Sequence, residues 1–384
     1  MESIMILNGE NRGVLGTVRS LGKRGIPIFV GGSKILSRAN YSKYCKRRFI
    51  YHTPDSDIQK MHEDILRNVK QLKPDVLLPF SSDTAYVVLK NINEYKGYCN
   101  ISPLLNFKKF NLMNDKETMI KEVLKFGCIV PKTYFLNNIK EAQEISERIE
   151  YPVLIKPRVS AGGRGIIKVS SPEELVKEYA FISNKKRIDF WYDPLRPIIQ
   201  EFIQGETIYT VYVLFNKGKH VASMVKKVCR QYPSSFGPVI AYDTILNEKI
   251  RSIAVNLFKQ LNWNGPANIN FIIDPKDNKP KMLEINPRLW ATVEMSIKSG
   301  IDFPYMLYKL ALGEKIEETT DYIINQRFRW VLFGEFFYLL KSNNKLEVIK
   351  DYLNLKNIKT EIDLTDIKPH LIHFLDLCIN KQVL

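Results

Sequence analysis

Cysteine is scarce in this chain of 384 residues, and the cysteines do not cluster. There are five of them, and no two have the spacing of a metal-binding pair: Cys45, Cys99, Cys128, Cys229 and Cys378. An odd, dispersed set argues against a framework of disulfides and is typical of a protein in a reducing compartment.

Long apolar runs are absent as well. None reaches the roughly 18 residues that a membrane-spanning helix requires. The first ten residues, MESIMILNGE, include an acid and an asparagine where a secretory signal would have a continuous apolar core. We therefore expect a cytoplasmic protein without a transmembrane segment.

Two common phosphate-binding motifs are missing. The first turn reads N-G-E-N-R-G, where a dinucleotide-binding domain would have G-x-G-x-x-G. A later glycine-rich turn, described below, lacks the G-K-[ST] ending of a Walker loop. A dinucleotide cofactor is therefore not expected.

Basic residues are abundant. The chain has 57 lysines and arginines against 41 acids, a formal net charge of +16. The excess is spread along the chain, and its densest run is K-Y-C-K-R-R-F, around Lys46 to Arg48. We interpret it as a solvated basic surface and expect no specific nucleic acid, while a general attraction to anionic partners is left open.

The first hundred residues alternate strand-like and helix-like stretches. SIMILN, IPIFVGG and PDVLLPF are short apolar runs typical of buried strands, and the stretches between them have helical spacing. This β-α rhythm predicts a parallel sheet flanked by helices, so the fold class is α/β.

The strongest local signal is a strand, a lysine and a glycine-rich turn. The run V-L-I-K-P-R-V-S-A-G-G-R-G places Lys156 before Ser160, Gly162, Gly163 and Gly165. Glycines let backbone amides approach phosphate oxygens closely, and the lysine supplies a positive charge. A phosphate-binding turn is favoured over an ordinary β-hairpin.

A second signal is the run M-L-E-I-N-P-R-L-W. Alternate residues on a strand share a face, so Glu284, Asn286 and Arg288 project together. Carboxylate and amide oxygens suit a hard cation such as magnesium, and Asn270 on a neighbouring strand could complete its shell. Arg288 suits a phosphate or a developing oxyanion. A solvent-exposed strand face is the alternative.

A third signal is the run I-I-Q-E-F-I-Q-G-E. Phe202 and Ile203 could sandwich a flat base after Glu201, and Glu206 could accept ribose hydroxyls. Many strands look similar, so this run indicates little by itself.

Read in order, these segments resemble the ATP-grasp superfamily, specifically its carboxylate–amine ligase branch. The match runs from the N-terminus to about Gly313. It includes S-L-G-K-R-G-I, Y-S-K-Y-C, N-D-K ending at Lys116, the glycine-rich turn, Q-E-F-I-Q-G-E, E-I-N-P-R-L-W and G-I-D-F-P-Y-M-L-Y-K-L-A-L-G-E.

The resemblance implies a nucleotide site. Lys116 and Lys156 match the two lysines that hold the ATP phosphates, and Gly162 to Gly165 match the flexible lid over them. Glu201 to Ile203 match the hinge that reads adenine, and Glu206 matches the ribose-binding carboxylate.

The resemblance also implies a magnesium site and catalytic residues. Glu284 and Asn286 match magnesium ligands, and Arg288 matches the arginine that steadies an acyl phosphate, which makes Arg288 and Lys156 the expected catalytic residues. Relatives often have an acid or glutamine in place of Asn270, so one or two magnesium ions are left open, as is manganese.

The resemblance divides the chain into an N-terminal α/β domain at 1–110, a two-lobed ATP-grasp domain at 111–315, and a mostly helical C-terminal extension at 316–384. Within the ATP-grasp domain, the central lobe spans about 116–200 and the C-terminal lobe about 201–315. A homodimer is left open.

The implied activity is an ATP- and magnesium-dependent ligase that joins a small-molecule carboxylate to an amine through an acyl phosphate and releases ADP and phosphate. Lys227 and Arg230 are candidates to hold an anionic substrate, although an exposed turn explains them nearly as well. The alternatives are a carbamoyl-phosphate or carboxyphosphate-forming enzyme and a non-catalytic nucleotide-binding regulator.

Overall fold

The computed structural model of the protein describes residues 1–53, 55, 57–160, 162–184, 196–205, 207–233, 235–342, 345–353 and 357–379. Three β-sheets organise these residues, and each is taken in turn along the chain.

The first sheet is parallel and has five strands. Its elements are β1 (Ile4–Ile6), α1 (Arg12–Gly22), β2 (Ile28–Gly32), β3 (Cys45–Ile50), α2 (Ile58–Leu72), β4 (Val76–Leu78), α3 (Ser82–Lys90), α4 (Ile92–Lys96) and β5 (Asn100–Ile101). The strands lie in the order β3-β2-β1-β4-β5. The predicted β-α rhythm and the α/β fold class are confirmed.

The second sheet is antiparallel and has four strands, in the order β6-β9-β7-β8. The elements from this part of the chain are α5 (Phe107–Asn114), α6 (Lys116–Leu124), β6 (Thr133–Phe135), α7 (Ile139–Ser146), β7 (Val153–Lys156), β8 (Ile167–Val169), α8 (Pro172–Ser183) and β9 (Ile198–Glu201). Asp115 caps α6 by accepting hydrogen bonds from the amides of Glu117 and Thr118, and Ser171 caps α8.

The third sheet has seven strands, in the order β14-β13-β10-β11-β12-β15-β16. The elements up to residue 311 are β10 (Ile208–Asn216), β11 (Lys219–Gln231), β12 (Val239–Ile245), α9 (Glu248–Gln260), β13 (Gly265–Asp274), β14 (Lys279–Asn286), α10 (Val293–Lys298) and α11 (Phe303–Ala311). The helical segment after β14 is interrupted between α10 and α11. Gly300 has a φ of +107° there, and Asp302 caps α11.

The C-terminal segment contributes strands as well as helices. Its elements are β15 (Arg327–Arg329), α12 (Phe336–Lys341), α13 (Lys345–Leu353), β16 (Ile358–Thr360) and α14 (Lys368–Ile379), with a π-helical turn at Val331–Glu335. β15 extends the seven-stranded sheet from β12, and β16 pairs with it in parallel. The predicted extension therefore adds an edge to the third sheet.

The two faces of the seven-stranded sheet have different neighbours. Tyr212 and Met224 pack on one face against the core of the first sheet, with Ile4 and Val14. The other face packs against α9 and against α5 and α6. Within the described ranges, no helix has both the length and the apolar character needed to cross a bilayer.

Candidate active site

A cavity of about 680 Å³ opens between the four-stranded and the seven-stranded sheets. Side chains from both sheets, from the glycine-rich turn and from the C-terminal segment line it. It contains many of the residues that the sequence singles out: Lys116, Lys156, Gly163, Glu201, Phe202, Ile203, Arg230, Asn270 and Glu284.

Two buried lysines form one wall of this cavity. Lys156, at the end of β7, donates from Nζ to Oε1 of Gln200 on β9 at 2.6 Å. Lys116, the first residue of α6, donates to Oγ of Ser160 at 3.1 Å. Burial lowers the pKa of Lys156 to about 8 and also lowers the pKa of Lys116, while Glu284 acts in the opposite direction on both. The two ammonium groups therefore favour an anion in the cavity.

Asp115 and Arg158 hold Lys116 in place. Arg158 donates from Nη2 to Oδ2 of Asp115 at 2.6 Å, and the carbonyl of Arg158 accepts from the amide of Lys116 at 2.9 Å. Asp115 also caps the helix that begins at Lys116. The start of α6 is thus tied to the segment that leads into the glycine-rich turn.

The glycine-rich turn depends on backbone conformations that other residues rarely adopt. Gly162, Gly163 and Gly165 have φ values of +64°, +76° and +74°. A Cβ atom on Gly163 would lie 1.8 Å from the carbonyl oxygen of Phe236, whereas one on Gly162 would meet nothing within 4 Å. Gly163 is therefore the point at which the turn meets the loop after β11.

The hinge after β9 presents apolar groups to the cavity. Phe202 donates its amide to the carbonyl of Pro152 at 3.3 Å, and the Lys168 ammonium lies over its ring at 4.2 Å. The carboxylate of Glu201 lies 3.5 Å from Lys281 and accepts from the amide of Lys132. Glu206, the expected ribose-binding residue, lies outside the described residues.

The acidic end of the cavity lies on β13 and β14. Oε1 of Glu284 accepts from the amide groups of Asn270 at 2.8 Å and Asn286 at 3.3 Å. Arg288 donates to Oδ1 of Asn286 at 3.2 Å and to Oγ of Ser82, at the start of α3, at 3.2 Å. The structure thus brings Asn270, Glu284, Asn286 and Arg288 together. Arg288 also links them, through Ser82, to the helices around the first sheet.

The candidate substrate residues Lys227 and Arg230 have different surroundings. Lys227 is exposed on β11. The guanidinium of Arg230 forms a two-point contact with the buried carboxylate of Glu335, at 2.9 and 2.8 Å, and a third contact with Asp351 at 2.6 Å. The charge of Arg230 is therefore already matched by two carboxylates of the C-terminal segment.

Sequence reasoning missed two contributions to the cavity. Gln200 orients Lys156, and the only signal for it was its position one residue before the predicted hinge. Tyr338, Lys341 and Ser342 line the cavity from the C-terminal segment, and no local pattern distinguished them because tertiary packing alone brings α12 to this place.

Comparison with known proteins agrees with this geometry. Residues 115–319, more than half of the chain, match the family described as carbamoyl-phosphate synthase L chain, ATP binding domain. The chain therefore belongs to this family and, with it, to the ATP-grasp superfamily.

Curated relatives include the carbamoyl phosphate synthase large chain of Thermotoga petrophila, which is 27% identical over 268 residues, or 67% of this chain and 23% of the relative. A biotin carboxylase of Nostoc is 27% identical over 221 residues, or 56% of this chain and 49% of the relative. The chain thus spans about a quarter of the large chains and half of the carboxylase.

Solved structures share the fold. A biotin carboxylase complex with β,γ-ATP from Campylobacter jejuni has a TM-score of 0.69 at 20% identity and covers 85% of this chain and 74% of that one. N5-carboxyaminoimidazole synthetase from Staphylococcus aureus has a TM-score of 0.64 at 13% identity, with coverages of 85% and 80%.

Proposed function

We propose that the protein is an ATP-dependent ligase that joins a carboxylate to an amine and releases ADP and phosphate. The observation that carries this proposal is the meeting of Lys116, Lys156, Gly163 and Glu284 around one cavity. Two buried cations and a glycine turn suit the phosphates, and the acid beside them suits a metal ion.

The lining of the cavity supports one orientation of ATP. Leu154, Ile203, Ile272 and Leu283 provide apolar walls near the hinge, where a flat base would lie. The lysines and Glu284 define the phosphate end. The nucleotide would lie between the two sheets, with its γ-phosphate toward Glu284 and Arg288.

Magnesium fits the residues at this end. Asn270 and Asn286 each donate a side-chain amide N–H to Oε1 of Glu284. The carboxylate and these two amide groups together carry the oxygen atoms that a hard cation prefers. Within the described ranges, no group of three or more His, Cys, Asp or Glu is arranged so that it could hold a metal ion. The protein would therefore supply one formal negative charge, and ATP phosphates the rest. Bound magnesium would neutralise charge that develops on the phosphate oxygens.

The proposed reaction has two balanced steps. A carboxylate oxygen attacks the γ-phosphorus, the bond to the β-phosphate oxygen breaks, and ADP leaves with an acyl phosphate formed. An amine then attacks the acyl carbon, phosphate leaves, and the amine loses a proton. Lys116 and Lys156 stabilise the phosphate oxygens, and Arg288 stabilises the oxyanion of the tetrahedral intermediate.

The relatives favour one second candidate. Carbamoyl phosphate synthase and biotin carboxylase are among the proteins this chain matches. The same residues could activate bicarbonate as a carboxyphosphate, with bicarbonate as the attacking carboxylate.

ADP release separates the candidates. The purified chain would be incubated with ATP, magnesium and pooled carboxylates, with and without pooled amino acids, in buffer depleted of bicarbonate. A parallel mixture would contain bicarbonate in place of the pooled carboxylates and amino acids. The ligase predicts release that requires both a carboxylate and an amine. Release that requires only bicarbonate would favour the second candidate, and ATP binding without turnover in any mixture would contradict both.

A further inference from the structure

Two cations between the first sheet and the seven-stranded sheet have no carboxylate ion-pair partner among the described residues. The Lys226 ammonium lies 3.2 Å from Oγ1 of Thr292 and over the rings of Tyr212 and Tyr242, at 5.0 and 4.4 Å. Arg12 donates to the carbonyl of Val239 at 2.7 Å and lies 4.4 Å over the Trp330 ring.

The surroundings of these cations are aromatic and connected. Tyr212 contacts Thr292 through its hydroxyl group, and Trp330 donates to the Tyr242 hydroxyl at 3.3 Å. Lys226 is 3% exposed, whereas Arg12 is partly exposed. The two cations therefore lie in a largely apolar, aromatic environment of low dielectric constant. This environment is open to solvent on the side of Arg12.

Its position in the fold is where ligands of α/β sheets bind. The strand order of the first sheet reverses between β1 and β4, and ligands occupy the crevice at the carboxyl ends of the strands at such a point. Arg12 begins the helix that follows β1. Arg288 reaches the same crevice through its hydrogen bond to Ser82, which follows β4.

The register of the third sheet links the cluster to the phosphate end. Glu284 pairs with Asn270, Asn270 with Thr210, and Thr210 with Lys226, so the four side chains share one face. Three strand spacings separate Glu284 from Lys226, which is about 14 Å between backbones. A ligand between them would reach Arg288 with one end and Lys226 with the other.

The physical argument for an anion is the uncompensated charge. A buried cation without a carboxylate partner is unfavourable, and burial, followed by the nearby Arg12, lowers the pKa of Lys226 to about 7. Arg230 on the same strand shows the contrast, because Glu335 and Asp351 match its charge. A ligand with a negative group would supply the negative charge that the described residues do not place beside Arg12 and Lys226.

We propose that Arg12 and Lys226 bind a second anionic group of the carboxylate substrate, whose reacting carboxylate lies at Arg288. The substrate class is then a short dianion, such as a dicarboxylate or an acidic amino acid. This inference rests on the proposed ligase function.

Matched probes test it. The full chain would be assayed for ADP release with magnesium, ATP and hydroxylamine as the amine, using succinate, glutarate and adipate against butyrate, valerate and hexanoate. We expect the dicarboxylates to have values of KM lower by about tenfold or more, the worth of one charge-assisted contact. Equal use of the monocarboxylates would overturn the dianion inference and leave the ligase intact. No release with any carboxylate would contradict the ligase itself.

A charge-removing variant gives the second test. Lys226→Met keeps the length of the side chain, and we expect KM for the dicarboxylates to rise about ten- to hundredfold, with KM for ATP and for monocarboxylates unchanged. Lys219→Met, at an exposed position on the same strand, is the control. Lys226→Met should unfold at the same temperature as the parent or at a higher one, because it removes a buried charge.

A binding measurement covers the case of slow turnover. Calorimetric titration of succinate into the ADP-magnesium complex should give binding that Lys226→Met weakens and Lys226→Arg partly restores. Equal succinate affinity in the parent and in Lys226→Met would overturn the assignment of Lys226 to the second anionic group. The assignment would also be overturned if Lys226→Met weakened the binding of ATP but not that of succinate.

Discussion

Lys156 is the residue on which the nucleotide site most depends. It is buried, its hydrogen bond goes to a neutral amide, and the described acid that most influences it is Glu284 across the cavity. Its charge is therefore poorly compensated until phosphates arrive, and it is preorganised to stabilise negative charge on their oxygens.

Lys156→Met should reduce kcat/KM for ATP by about 10²–10³-fold, the usual effect of removing one aligned donor from a transition state. The reason is loss of a preorganised charge, since methionine nearly preserves the volume. Steady-state ADP release would measure the change. Lys177→Met, on the exposed side of α8, is the matched control, and equal rates in both variants would remove Lys156 from the site.

The pKa of Lys156 gives a signed pH dependence. Burial lowers it to about 8, with Lys116 acting in the same direction and Glu284 against it, so ATP affinity of the free protein should fall as pH rises through about 8. The unfolded chain keeps a lysine pKa of about 10.4 and binds more protons between these values, so the Lys156 contribution to stability rises across that window. Calorimetry at pH 7 and 9 would measure the affinity, and Lys156→Met should abolish this component.

For single residues, strand alternation predicted that Glu284, Asn286 and Arg288 share a face, and the structure brings them together. The resemblance points to the stretch of Lys227 and Arg230 for substrate-facing residues, whereas the lysine without a carboxylate partner among the described residues is Lys226. The reason is physical: β11 has register irregularities around Val228 to Gln231, and two adjacent lysines give no sequence signal for which one is buried.

At the scale of elements, the glycine-rich turn is tightly fitted at one residue. Gly163→Ala should lower kcat/KM for ATP more than Gly162→Ala does. Both positions have positive φ, but only at Gly163 would the new methyl collide with the Phe236 carbonyl. ADP-release kinetics of the two variants measure the difference, and equal losses would mean that φ strain, rather than the contact, sets the effect.

Helices with clear caps, such as Asp115 before α6 and Ser171 before α8, are predictable from the sequence. The short strands β15 and β16 are not, because each has three residues in a segment with helical spacing. Their partners lie in β12 and in each other, so the information that makes them strands is tertiary.

At the scale of the whole molecule, buried charges fasten the C-terminal segment to the first sheet. Arg19 on α1 donates to Oδ2 of Asp366 at 3.0 Å and to the carbonyls of Glu361 and Asp366 at 2.8 Å. Asp366 also accepts from Ser42. The segment that lines the cavity with α12 is thus held by contacts of residues that do not line the cavity themselves.

Arg19→Met should lower the free energy of unfolding by about 3–5 kcal/mol, because it leaves the carboxylate of Asp366 buried without its cation. Arg24→Met removes a partly exposed pair with Asp302 and should cost about 0–1 kcal/mol. Urea denaturation of both variants measures the two values. Similar losses of unfolding free energy in the two variants would show that burial of the ion pair does not set its contribution to stability.

The central claim is that the cavity activates a carboxylate by phosphorylating it. A carboxylate that supports ADP release would be labelled with ¹⁸O in both carboxylate oxygens and turned over with ATP, magnesium and an amine. The inorganic phosphate would be analysed by mass spectrometry. An acyl phosphate predicts one ¹⁸O atom in each phosphate released, because the attacking oxygen leaves with phosphorus. Unlabelled phosphate in step with ADP would contradict the account.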